Sequence, residues 1–200
     1  SSDVCSSDLE RQSGAGLETS FANGGQISVS HAQPWANPSA PGLMLKWLGR
    51  EDSPLLFRPS LETRQWSWGL RFLYECLPFR SRANTAQALA LARFSALKLR
   101  ELREHTGIQY DQITRGILQL FFDANEFERH ARDAEPLRKA GLDIRELDAA
   151  QCVALEPALR DTKTKLAGGL HASGDESGDA HKFTIELAKL ARAAGVQFRH

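Results

Sequence analysis

Apolar residues recur at helical spacing most clearly between residues 84 and 104. Leu89, Ala92, Ala96, Leu99 and Leu102 follow steps of three or four, and Ala90, Phe94 and Leu97 widen that stripe. The pattern predicts a helix over 84–104, stopped by Gly107. Residues 62–77 carry Trp66, Trp68, Leu70, Phe72, Leu73 and Leu77 and predict a second helix, ended by Pro78. A short apolar piece, Gly42–Leu48, allows two helical turns inside a loop that holds five prolines between residues 34 and 59. Beyond residue 110 the period changes. Ile113–Phe122 is β-branched and aromatic and predicts a buried strand.

Asp123, with Glu126 three residues on, starts a helix that reaches about Ala140 and is open to a kink or break at Pro136. Asp148 starts a short helix that ends before Pro157, and Lys165–His171 predicts a glycine-containing strand. In the last unit Asp179 caps a helix whose apolar face is Phe183, Leu187, Leu190, Ala191 and Ala194. Gly195 stops it, and Val196 and Phe198 alternate as a new strand. Helix, glycine, strand is the second half of a βαβ-like unit. The expected class is therefore α/β (α+β) with several amphipathic helices.

Composition narrows the picture. The chain has 200 residues, 42% of them apolar, which suits a packed core. Twenty-five basic residues balance 25 acidic ones, so charge gives no reason to expect a nucleic-acid partner. No run of about 20 apolar residues is present to span a bilayer. Cys5, Cys76 and Cys152 lie far apart, without metal-ligand spacing. Ser1–Leu9, SSDVCSSDL, has no apolar periodicity, and its back-translation resembles a sequencing adapter. Setting it aside leaves 191 residues with a formal charge of +2. The chain has no initiating Met and stops in a strand-like run, so an internal fragment of a longer protein is expected.

The chemistry is sparse. GxSxG, HExxH, the P-loop and GxGxxG are all absent, and the six histidines are scattered. Cys76 and Cys152 fall on apolar helical patterns and read as packing residues. Asp175, Glu176 and Asp179 share one turn, where capping and solvation are the simplest roles. Residues 10–26 are different. Glu10 can accept hydrogen bonds from a ribose diol, as an acidic residue at a strand end does. The Gly-rich Thr19–Gln26 segment offers hydroxyls and backbone N–H groups to a pyrophosphate or a ring edge. A Gly/Ser loop alone is most often only a loop.

Five segments in fixed order carry more weight. LETSFANGGQISVSHAQPW, LKWLGREDSPLLFRPSL, GIQYDQITRGILQLF, LDAAQCVALEPAL and KLAGGLHASGDESGDAHKFT resemble runs of the bacterial FAD-dependent D-amino acid dehydrogenases, of the D-amino acid oxidase and glycine oxidase superfamily. LETS…GGQ and GDESGD together make the resemblance specific, and it spans about residues 10–200. It departs from the family's pattern at Gly24, where Ala is common, and at Ala180, where many members have Cys.

The resemblance implies a fragment of a FAD-binding Rossmann-like domain plus a mixed-sheet substrate domain. Residues 10–105 would be part of the FAD-binding domain with a helical segment, 106–172 part of the substrate domain, and 173–200 the return to the FAD-binding domain. The family's N-terminal GxGxxG and C-terminal half lie outside the chain, so the fragment alone is expected to be inactive. Carried over by residue, Glu10 would bind the adenosine ribose and Arg11 would lie beside the adenine. Thr19 and Ser20 would sit near the pyrophosphate or ribityl chain. Asn23, Gly24, Gly25 and Gln26 would approach the isoalloxazine ring.

The implied reaction is oxidative deamination of a D-alanine-like D-amino acid to a 2-oxo acid and ammonia. FAD would be bound non-covalently, and electrons would pass to a quinone or other respiratory acceptor. A glycine or sarcosine oxidase-like flavoprotein and a non-enzymatic helical interaction module are the alternatives. Tryptophans and arginines crowd residues 35–80. Helices packed on the FAD-binding domain explain them most simply. A peripheral contact with the cytoplasmic face of the bacterial inner membrane is the second explanation.

Overall fold

The computed structural model describes residues 12–47, 62–162 and 164–198. The chain divides into two compact units. One comprises the residues up to Ser30 and those from Ala96 onward, and the other spans His31–Ser95.

The His31–Ser95 unit is helical. It holds α1 (Ala40–Trp47), α2 (Thr63–Glu75) and most of α3 (Pro78–Thr106). Pro78 opens α3 rather than only closing α2, because the first turn of a helix has no use for the N–H that proline lacks. A carboxylate secures the corner between the two helices. Glu75 accepts from Arg80 Nη2 at 2.9 Å and from Asn84 Nδ2 at 2.7 Å, and the Arg80 bond holds its carboxyl below the ordinary value. Cys76 is buried beside this corner, as a packing residue should be. Along α3 the predicted stripe turns inward at Leu89, Ala92, Ala96 and Leu99. Phe94 and Leu97 do not widen it. They are 57% and 52% exposed, because both lie outside the arc covered by Leu89, Ala92, Ala96 and Leu99, Phe94 on the far side of the helix and Leu97 on its flank.

In the other unit a three-stranded antiparallel sheet has the order β2–β4–β3, with β2 at Ile117–Phe121, β3 at Ile144–Leu147 and β4 at Gly168–Ala172. Helices α4 (Ala124–Asp133), α5 (Glu135–Lys139) and α6 (Ala149–Leu155) connect or flank these strands. The cap at Asp123 forms as predicted, its side chain accepting from Glu126 N at 2.9 Å. The helix breaks at Ala134, and α5 restarts with Pro136 in its first turn. Asp148 and Gln151 make a reciprocal capping box at α6.

The strand expected over Ile113–Phe122 is shorter. Gly116 has φ +86°, and a Cβ there would lie 2.4 Å from His171 Nε2, so regular pairing starts only at Ile117. Ile113 instead bridges Ser177. β3 was hidden because its sequence, IREL, carries two charges. Arg138 covers it by donating to Glu146 at 2.8 Å and to the Ile144 carbonyl at 2.9 Å.

Gly168 and Gly169 lie in the middle strand, not at a sheet edge. A Cβ on Gly168 would be 2.9 Å from the Phe127 ring, and one on Gly169 would be 2.7 Å from Cys152 Sγ. The paired glycines let α4 and α6 rest directly on the sheet backbone. Phe121, Leu137, Ile144, Cys152 and Leu170 form the core there.

The short strands β1 (Gln26–Ile27) and β5 (Glu176–Ser177) pair antiparallel, with Gln26 opposite Ser177. α7 (Ala180–Ala193) follows, capped by Asp179 through Lys182 N at 2.9 Å. Its buried face is centred on Ala188, while Leu187 is exposed. Gly195 ends the turn at φ +95°. Val196–Phe198 form no strand, and Phe198 lies under the Arg192 guanidinium at 4.8 Å. Every strand pairing among the described residues is antiparallel.

Candidate functional site

The glycine-rich segment and the GDESGD turn, some 150 residues apart in sequence, meet in one place. Thr19–Phe21 forms a 3-10 turn. Asn23 closes the next turn, its Oδ1 accepting from Gly25 N at 2.7 Å and its Nδ2 donating to the Thr19 carbonyl at 3.4 Å. Gly25 then enters the left-handed region at φ +59°, and its carbonyl accepts from Gly178 N at 2.8 Å. A Cβ on Gly25 would stand 2.0 Å from the Gly178 carbonyl oxygen. Gly25 is therefore required by the contact between the two segments. Around Gly24 nothing comes within 4 Å of a Cβ position, so this backbone is open to an approaching group.

A cleft of about 490 Å³ opens along this junction. Asn23, Gly24, Gly25, Gln26 and Ile27 form one side, and Leu99, Tyr110, Gly178, Ala180 and Phe183 form the other. The wall is mainly apolar and backbone, which suits a flat aromatic ring. Tyr110 is 2% exposed, and its ring meets Phe183 edge-on with centroids 5.2 Å apart.

Two acidic residues predicted to be solvated or capping are buried. Asp175 accepts from Ser30 N at 3.1 Å and from the Ser30 hydroxyl. Glu176, 5% exposed, accepts from Arg103 Nη1 at 2.8 Å and Arg100 Nε at 3.1 Å. The bond from Arg103 holds the Glu176 carboxyl below its ordinary value and pushes the guanidinium upward, while burial opposes both shifts. Only Asp179 of the three has the expected capping role.

Four of the eight residues expected at a cofactor, Asn23, Gly24, Gly25 and Gln26, line the cleft. Thr19 and Ser20 lie in the adjoining 3-10 turn, and Glu10 and Arg11 lie outside the described residues. Sequence reasoning missed Tyr110, Leu99, Ala180 and Phe183 as lining residues. Leu99 and Phe183 carry only the signal of a helical stripe. Tyr110 and Ala180 sat inside matched segments without any pattern that gave them a role.

The open backbone at Gly24 and the apolar wall of the cleft fit the flat ring of a flavin. Ser28 Oγ and His181 Nε2 are buried atoms without a hydrogen-bond partner, but neither residue lines the cleft.

Residues 9–200 match the family described as DAO, FAD dependent oxidoreductase, so the chain belongs to that family. It is 55% identical over 196 residues to the D-amino acid dehydrogenase of Paramagnetospirillum magneticum and 52% identical over 192 residues to that of Dechloromonas aromatica. Each alignment covers 96% of this chain and 46% of the relative, so the chain spans somewhat under half their length. In fold it is similar to glycine oxidase from Geobacillus kaustophilus, at TM-score 0.52 and 20% identity over 92% of this chain and 37% of that one.

Proposed function

We propose that this chain forms the flavin-facing part of an FAD-dependent D-amino acid dehydrogenase. The carrying observation is the cleft that joins Asn23–Ile27 to Gly178, Ala180 and Phe183. Asn23, Gly24, Gly25 and Gln26 would hold the isoalloxazine ring, and Thr19 and Ser20 the ribityl–pyrophosphate region. Glu10 and Arg11 would take the adenosine end. Bound there, FAD would accept a hydride from the α-carbon of a D-amino acid, and the imino acid would hydrolyse to a 2-oxo acid and ammonia.

The residues of this chain bind, orient and dry. Gly24 lets the backbone come close, Leu99 and Phe183 exclude water, and the Asn23 turn fixes the loop. No histidine or cysteine lines the described cleft, and Cys76 and Cys152 are buried elsewhere, which favours non-covalent FAD. Electrons would leave to a quinone or another respiratory acceptor. The exposed Trp66, Leu70 and Leu73, which share one face of α2 at 55%, 70% and 48%, support a peripheral contact with the inner membrane. Among the described residues no helix is long and apolar enough to cross a membrane.

Full-length protein with FAD tests the reading. D-alanine should bleach the visible flavin absorbance without oxygen, and an artificial quinone should restore it. No bleaching with any D-amino acid would refute the assignment. Restoration by oxygen with stoichiometric hydrogen peroxide, and none by quinone, would make the protein an oxidase. Acid precipitation should leave the flavin in the supernatant.

A further inference from the structure

Resting on the reading that the cleft takes the flavin ring, we propose that Arg103 is a positioning residue for that site, acting through Tyr110 and Glu176. From α3, Nη1 of Arg103 donates to Glu176 Oε2 at 2.8 Å and to the Tyr110 hydroxyl at 3.0 Å. One guanidinium thus holds both sides of the cleft. Glu176 sits in β5 opposite Ile27, so fixing Glu176 fixes β1. Tyr110 sets the other wall. A Cβ on Gly178 would meet its ring at 2.5 Å, and its carbonyl accepts from Asp179 N at 2.7 Å, where α7 begins.

The tyrosine hydroxyl separates positioning from simple stability. Glu176 has two arginines already, so its charge is balanced without Tyr110. Loss of the hydroxyl leaves that ion pair and the ring packing in place. It removes only the bond that sets the height of the ring in the cleft wall. Lysine at position 103 keeps the charge but lacks the rigid guanidinium plane whose Nη1 reaches both Glu176 Oε2 and the Tyr110 hydroxyl while Nη2 reaches Glu176 Oε1.

The test uses full-length protein and titrates FAD into apoprotein, with the bound flavin's visible spectrum and the apoprotein's urea midpoint as further readouts. Tyr110→Phe should weaken FAD binding about tenfold and shift the visible band, with a urea midpoint close to wild type. Arg103→Lys should do at least as much. Unchanged FAD affinity and spectrum in Tyr110→Phe overturn the proposal, whether or not Arg103→Lys folds. Gly24→Trp is the control for the cleft itself. If it blocks FAD binding while Tyr110→Phe is silent, the flavin is at the cleft and Arg103 does not position it. If Gly24→Trp leaves FAD binding intact, the cleft reading fails and the role of Arg103 falls with it.

Discussion

Gly24 and Gly25 are neighbours in sequence, and the structure gives them opposite roles. Gly25→Ala should cost the protein stability before it touches the cofactor. The backbone there is at φ +59°, which costs a residue with a Cβ roughly 1–2 kcal/mol. The new methyl would also stand 2.0 Å from the Gly178 carbonyl oxygen. Contact that close forces the two strands apart and breaks the 2.8 Å bond from Gly178 N to the Gly25 carbonyl. A backbone hydrogen bond is worth about 1 kcal/mol. Strain and bond together give a loss of about 2–3 kcal/mol.

Gly24→Ala meets nothing within 4 Å and should change stability by less than about 0.5 kcal/mol. Urea unfolding of the full-length apoprotein, followed by tryptophan fluorescence, measures both variants. FAD titration of each then separates folding from binding. If Gly25→Ala unfolds at the same urea concentration as wild type, the close approach of the two segments is wrong. The mirror result, a large loss for Gly24→Ala, would be equally damaging.

Other expectations follow from the same geometry. Gly169→Val should destabilise by at least about 1–3 kcal/mol, because its side chain would collide with Cys152 Sγ at 2.7 Å and with Leu118 at 3.0 Å; an unchanged melting temperature would contradict the packing of α6 on β4. The Glu176 carboxyl is held below its ordinary value of 4.5, so its contribution is complete above that pH and disappears as pH falls through the lowered value. Melting temperature should therefore drop as the pH falls below 4.5, less steeply in Glu176→Gln than in wild type; parallel curves would count against the buried pair. Full-length protein should float with anionic liposomes at low salt and lose this on Trp66→Ser with Leu70→Ser, whereas protein that stays at the bottom of the gradient removes α2 as a membrane contact.

Much of the helical frame is visible in residue patterns, since caps and stripes are local. Asp123, Asp148 and Asp179 each cap the helix that the sequence assigned to them. Long-range decisions are not local. Regular pairing starts only after Gly116, whose backbone turns to φ +86° where His171 leaves no room for a Cβ, and nothing near Gly116 in sequence says so. IREL becomes a strand by pairing with β4, a partner distant in sequence, with Ile144 opposite Ala172 and Leu147 opposite Gly169.

The site was partly legible for the same reason. Asn23–Gln26 could be singled out from composition and family resemblance. Their partners across the cleft could not, because Tyr110 and Phe183 look like ordinary core positions until α3 and α7 are placed. Asp175 and Glu176 misled in the other direction. Two acids in a turn suggest solvent, yet Ser30, Arg100 and Arg103 arrive from distant segments to bury them.

The central claim is that the cleft between Asn23–Ile27 and Gly178–Phe183 receives the flavin ring. The most direct measurement is a crystal structure of the FAD-loaded full-length protein. The isoalloxazine ring should lie in contact with the Gly24 backbone, with Tyr110 still bonded to Arg103. A ring bound elsewhere, with this cleft filled only by solvent or by another part of the chain, would contradict the account.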